Sequence, residues 1–430
     1  MREPLRIGIT QDRKPLIPPG RVALLTLAAL ATMAGALSAQ NPFGTEFRIN
    51  TYTTGTQRFA SVGGAGQSYL FVVTWESAGQ DGSQDGVFGQ RYAGFDVAPI
   101  GAEFQVNTYS TANQFFADVA LDPTGNFIVV WQSDGQDGDG PGVFGQRFAG
   151  WGPAFGGEFR VNSFTTQAQG FPDVAADSAG FVVVWESAGQ DGSDYGIFGQ
   201  RYDAGGAPLG PEFRVNTYTT GAQRAPAVAY DPGGNFMVTW EGESADDQLL
   251  GVRGQRYSST GAPLGGEFRV NTYTPGNQRS AALAADEFNE GFTIVWQSEG
   301  QDGSGDGVFG QRYSPMGFPL GSEFQVNTYT TSSQSSPAVN AEGANVTVLW
   351  QSDLQDGSAT GIYFRQFPSG AESRLNVYTP GPQTGPSMAY GGWPRWLSPW
   401  TSAQDPDGSL GIYAQAWYDL PVELQTFVVE

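Results

Sequence analysis

The sequence holds no cysteine and no histidine, and its one lysine, Lys14, stands within the first twenty residues. Without cysteine no disulfide can hold an exported chain together, so the fold relies on burial and closure. Thiol nucleophiles, imidazole bases, thiolate metal sites and His-ligated zinc are excluded with the same stroke. Cations are scarce: 21 Lys and Arg stand against 43 Asp and Glu, a net charge of −22. Long apolar runs are missing except at residues 22–36, and that run is short for a membrane span of about 20 residues. It comes after a basic leader of Arg2, Arg6, Arg13, Lys14 and Arg21 and precedes the small residues Ala36, Ser38 and Ala39. Basic, apolar and small segments in that order predict a cleavable secretory signal over residues 1–39, with the mature protein secreted to the outside or the cell surface.

The leader takes 5 of the 21 basic and 2 of the 43 acidic residues, so residues 40–430 carry 16 Arg, 41 acids and a net charge of −25. A surface this acidic repels phosphate backbones and anionic lipid, which excludes nucleic acid and anionic membranes as partners and favours solubility. The chain is rich in glycine (61), proline (27) and aromatic residues (13%). Many short strands joined by tight turns use that mixture, because Gly and Pro punctuate while aromatics fill pleated faces.

The strongest signal is repetition. A unit whose typical copy opens EFRVNTYT recurs, with its opening Glu at Glu46, Glu103, Glu158, Glu212, Glu267, Glu323 and Glu372. A Trp closes an apolar run at Trp75, Trp131, Trp185, Trp240, Trp296, Trp350 and Trp400, and a Gly comes after it at Gly86, Gly142, Gly196, Gly251, Gly307, Gly361 and Gly411. Each unit contains four short strand-like runs, in the third unit residues 158–165, 172–176, 181–186 and 196–202. The run 181–185 (FVVVW) is apolar on both faces, so other protein covers both. Four strands packed on each face by like neighbours describe a propeller blade. A solenoid would need polar caps on its terminal repeats, and the first repeat is as typical as the middle ones. The expected fold is therefore all-β: residues 40–430 form one seven-bladed β-propeller of four-stranded antiparallel blades. Residues 421–430, which echo the start of a further repeat, are expected to pair with the N-terminal region and latch the ring.

The strings QDGS and GVFGQRY at 301–313, with EFQVNTY at 323–329, resemble tandem repeats of large bacterial secreted or surface proteins, which often also carry calcium-binding or cadherin-like modules. The resemblance covers about residues 44–417 and implies an extracellular bacterial setting and a propeller-like repeat; it supplies no catalytic residues. The segment 420–424 (LPVEL) is similar to one near the C-termini of many bacterial exported proteins.

The repeats themselves supply the candidate sites. The Asp-Gly turn after each Trp places Asp81, Asp137, Asp191 and Asp302, with second acids at Asp85, Asp139, Asp194 and Asp306; Asp134 to Asp139 is the densest copy. Closely spaced hard oxygens in a Gly-rich loop suit Ca²⁺. The spacing is not that of an EF-type loop, and an Asx-stabilised β-turn explains the same residues without metal. Rings of amides, Asn50 to Asn376 and Gln57 to Gln383 in all seven units, either bind sugar hydroxyls or satisfy loop backbone groups. Arg91, Arg147, Arg201, Arg256 and Arg312 are expected to pair with the opening Glu residues. In the seventh unit Trp393, Arg395 and Trp396 crowd before Trp400, and Trp151 stands in an inter-blade loop. Exposed Trp suits stacking on sugar rings or a protein hot spot.

Function is expected to be non-catalytic recognition or scaffolding, with an extracellular glycan or protein bound through blade-edge loops. The alternatives are a structural surface or matrix protein, calcium-stabilised, and a hydrolase whose paired carboxylates work in the central channel. A catalytic site would appear as one blade-specific polar cluster at that channel.

Overall fold

The computed structural model describes residues 38–421, apart from residues 95, 245–246, 287–290, 344, 393–394 and 406. Most of the predicted leader, Trp393 and the tail expected to latch the ring lie outside the described residues. The rest forms seven antiparallel sheets and, among the described residues, no helix. The fold is a seven-bladed β-propeller.

Blade one shows the plan. Its strands, innermost first, are Gln57–Ala65, Leu70–Ala78, Asp85–Ala93 and Pro99–Gln105, paired in chain order. Blades two to six repeat it over residues 114–160, 169–214, 223–269, 278–325 and 334–374. The inner strands of adjacent blades pack on one another around a central channel. Second strands are buried on both sides, as in Gly180–Ala188, because a hydrophobic cluster lies in each gap between blades. The seven repeated Trp are fully buried there. A close approach between strands explains the Phe-Gly-Gln motif. The outer-strand Phe104 lies across Gly89 of the third strand, 2.9 Å from where a Cβ would stand. Blade six has Phe364 at that position and Ser373 opposite, so the ring is supplied from the other strand.

The seventh blade takes its outer strand from the other end of the chain. Ser38–Arg48 pairs with Gly411–Pro421, which pairs with Arg395–Ser402. The sheets therefore cut the repeat in a different phase from its sequence opening. The opening Glu stands in or directly before the outer strand of one blade, and the segment after that strand leads into the next.

The repeated polar residues tie blades together. Glu103 accepts hydrogen bonds from Thr51 N (2.7 Å) and Thr51 Oγ1 (3.0 Å), at the entry to blade one, and from Gln80 Nε2. Glu46 closes the ring in the same way, accepting from Val377 N (2.7 Å) and from Gln404. Arg91, Arg147, Arg201 and Arg256 grip turn carbonyls rather than these carboxylates. Arg91 donates to Gly152 O (2.9 Å), and Arg201 to Thr260 O (2.7 Å), each gripping a turn of the following blade. Gln366 replaces this Arg in blade six, where the next blade has no such turn because its outer strand comes from the N-terminal end.

Candidate binding site at the channel mouth

The amide rings resolve into structure. Asn107 Nδ2 donates to Tyr109 O (2.9 Å) and Gln114 Oε1 (3.1 Å), while its Oδ1 accepts from Val87 N (2.8 Å). With both ends used and only 2% exposed, it pins the inter-blade loop rather than facing a ligand.

The Asp-Gly turns are closed by their own donors. Asp81 Oδ1 accepts from Ser83 N (3.0 Å), Asp191 Oδ1 from Ser193 N (3.1 Å) and Asp302 Oδ1 from Ser304 N (3.2 Å), each an Asx turn. In the densest copy Asp134 Oδ2 accepts from Asn113 Nδ2 (3.2 Å), Asp137 Oδ1 from Asp139 N (3.3 Å) and Asp139 Oδ2 from Gln167 N (3.2 Å). Asp85 and Asp306 bind Arg58 (2.9 Å) and Arg279 (3.1 Å), and Asp194 stands at the same turn of blade three. Among the described residues no group of three or more Asp or Glu is arranged to hold a metal ion.

The Trp candidates separate. Trp396 is 3% exposed, packed against Tyr390 with centroids 5.0 Å apart in the core between blades six and seven, so it is not available for stacking on a ligand. Arg395 opens the strand Arg395–Ser402. Trp151, by contrast, is 62% exposed.

The site that the repeat reading missed lies on the inner strands. Each of the six complete blades has a β-bulge there, with the register shifting three residues apart, as between Arg58 and Ser61. The bulged residue has positive φ in all seven blades: Phe59, Phe116, Phe171, Ala225, Ser280, Ser336 and Gly385, at φ 47–60°. Its N–H reaches the preceding blade, to the residue after the buried Trp. Phe116 N donates to Glu76 Oε1 (2.7 Å), Ala225 N to Glu186 Oε2 (3.1 Å) and Gly385 N to Gln351 Oε1 (3.1 Å). The bond recurs at Phe59, Phe116, Phe171, Ala225, Ser280 and Gly385, but the side chain differs. Blades one to three place Phe at a dihedral that disfavours bulky residues by about 1–2 kcal/mol. The three rings make a continuous arc, Phe59 to Phe116 at 5.7 Å and Phe116 to Phe171 at 4.2 Å, with Phe59 49% and Phe171 43% exposed.

Two residues further along the same strands stand Ser61, Asp118 and Asp173, where blades four to six have Ala227, Ala282 and Ala338 and blade seven has Ser387. Ser61 Oγ donates to Asp118 Oδ1 (2.6 Å), Val174 N to Asp118 Oδ2 (2.9 Å), Val228 N to Asp173 Oδ2 (2.7 Å) and Val62 N to Ser387 Oγ (3.3 Å). These bonds run from blade to blade along the inner edge. Asp118 and Asp173 are hydrogen-bonded to each other, and burial raises both, Asp173 well above the usual carboxylate range with the Asp118 charge adding to it. Burial and the neighbouring Asp118 charge therefore both favour the protonated form of Asp173. Around the same mouth burial also raises Glu76 and Glu241 and pushes Glu186 up to about 7. The cations there are committed: Arg58 lies 3.0 Å from Glu76 and 2.9 Å from Asp85, and Arg224 lies 3.5 Å from Glu186 and over the Tyr195 ring. At the opposite mouth the turns after the inner strands, with Tyr69, Tyr230 and Tyr390, surround a cavity of about 960 Å³.

No known protein family matches the sequence, and no curated protein matches it. Among solved structures the chain is similar to a protein of unknown function from Dyadobacter fermentans, with 10% identity over 89% of this chain and 99% of that chain and a TM-score of 0.54. It is also similar to an ulvan lyase of polysaccharide lyase family 25, with 11% identity over 91% of this chain and 99% of that one and a TM-score of 0.50. At these identities the likeness is one of fold.

Proposed function

We propose that this protein is a secreted recognition propeller that binds a glycan at the mouth of its central channel. The observation that carries the reading is the arc of Phe59, Phe116 and Phe171, large apolar side chains, the outer two exposed and the middle one half-buried, at a backbone dihedral where the other blades use Ala, Ser or Gly. Nothing in the packing of a blade asks for these rings, since blades four to seven keep the same bulge without them. Aromatic surface beside carboxylates and amides suits pyranose rings, whose C–H faces stack while their hydroxyls find acceptors. The setting is the outside of a bacterial cell, from the signal pattern and the resemblance of the repeats.

A hydrolase reading finds blade-specific carboxylates in the channel, as it requires. Yet Asp118 and Asp173 stand side by side at the same position of adjacent inner strands, whereas a glycosidase sets its two carboxyls on either side of the scissile bond. One oxygen of each is fixed by a backbone donor of the next blade, which orients the pair for holding a ligand, so recognition is the better use of this geometry.

The test is an array of oligosaccharides probed with the protein and with a Phe116→Ala, Phe171→Ala double variant. Hits that the double variant loses by tenfold or more support the reading. Hits that persist unchanged in the variant, or an array with none, overturn it.

A further inference from the structure

The Phe arc and the acid pair lie on the same three inner strands two residues apart, and the chemistry of the pair narrows what the arc receives. Asp118 and Asp173 carry the only acidic side chains at their ring position; the other blades have Ser or Ala. Their bonding partners are Ser61, two backbone N–H groups and each other. The nearest mouth cations, Arg58 and Arg224, are already held by Glu76, Asp85 and Glu186. Among the described residues no ion pair uses either carboxyl, and both are half-buried on the inner strands, so the pair is a place for a cation. The aromatic wall above them favours the same charge, since the face of an arene attracts ammonium groups. Arg58 already shows this locally, its guanidinium 5.4 Å from the Phe59 centroid. With a net charge of −22 on the whole chain, the field at long range draws positive ligands and repels acidic ones.

We propose that the ligand of the channel mouth is an amino-sugar glycan carrying free amines, whose rings lie on the Phe59–Phe116–Phe171 arc and whose ammonium group is held by Asp118 and Asp173. This rests on the glycan reading and gives it a substrate class. An ammonium donating to both carboxylates favours their charged forms, so a proton that burial keeps on Asp173 is expected to leave for solvent as the ligand enters. Uronic-acid and sulfated glycans are disfavoured by the same groups.

The experiment compares a β-1,4-linked glucosamine hexamer with its fully N-acetylated counterpart by calorimetry at pH 6, with oligolysine of similar charge as a control. The amine hexamer is expected to bind at least tenfold more tightly than the acetylated one, and Asp118→Asn or Asp173→Asn to reduce that preference to threefold or less. Phe171→Ala should weaken both hexamers. A binding enthalpy that varies with the ionisation enthalpy of the buffer reports the released proton. If both hexamers bind equally and depend on Phe171, the amine assignment is wrong while the glycan reading stands. If neither binds, both are wrong. If oligolysine binds as well as the amine hexamer and Phe171→Ala changes nothing, the attraction is that of a bare polyanion, and the site is refuted. A melting curve on each variant separates lost binding from lost folding, and Phe59→Ala, which leaves the acid pair untouched, repeats the arc test independently.

Discussion

Blades one to three and blades four to six share one inner strand and use it differently. In both halves a residue of positive φ bulges from the strand, and in blades two to five its N–H is held by Glu76, Gln132, Glu186 or Glu241 of the blade before. In the first half the bulge carries Phe and the next channel position Ser or Asp; in the second half these are Ala or Ser, then Ala. The backbone device is the scaffold, and the side chains it displays are free to differ. Features that all blades share report how the ring is built, and features on which they differ report what it holds.

That division can be tested from its heaviest consequence to its lightest. Trp185 is shared, fully buried scaffold, so Trp185→Ala should cost about 3–5 kcal/mol in urea unfolding; a loss below about 1 kcal/mol would mean the gap between blades collapses around the cavity. Glu186 also belongs to the scaffold, and burial lifts its pKa from 4.5 to about 7. A raised carboxyl contributes fully below its unfolded pKa and loses that contribution as pH rises through the folded one. The wild type should therefore lose about 3 kcal/mol relative to Glu186→Gln between pH 4 and pH 8, and parallel stability curves would contradict the burial effect. Phe59, by contrast, is display. Phe59→Gly should leave the melting temperature unchanged or raise it, because relief of the dihedral is worth about 1 kcal/mol, while glycan binding falls. A clear drop in melting temperature would make the Phe part of the core. Ala225→Phe should extend the arc into blade four and tighten binding about threefold, the worth of one added aromatic contact. Weaker binding would show that the small wall opposite the arc is needed as space. The smallest effect is expected from metal: with the turn oxygens held by protein donors, calcium and chelator melts should agree within about 1 °C.

Much of the scaffold is legible in the sequence. Seven Trp at even spacing in runs apolar on both faces leave few architectures other than blades in a ring. The phase of the blade is not legible, because a circular repeat reads alike from any starting point and only the source of the closing strand sets its seam. The partners of the Arg residues are hidden as well: carboxylates suit a guanidinium on paper, while the turn carbonyls it grips have no side-chain signature. Trp396 resembles a ligand platform through its neighbours in the chain, yet a strand places alternate residues on opposite faces, and this one faces the core. The arc is obscured because the bulge breaks the alternation on which strand reading depends. Its signal is present as Phe two residues after the repeated Gln, at Gln57, Gln114 and Gln169 but not at Gln223, and then as Asp118 and Asp173 against Ala227.

The seam has a consequence in time. Glu46 and its partner Val377 are 331 residues apart, so the strand made among the first must wait for the blade made last. Until then six blades stand as an open arc with two raw ends, each a template for another chain. The interval between the emergence of Ser38–Arg48 and of Gly411–Pro421 is the period in which two such chains can exchange their first strands. Cleavage just after Arg48, which removes the closing strand, would hold the molecule in that state for good.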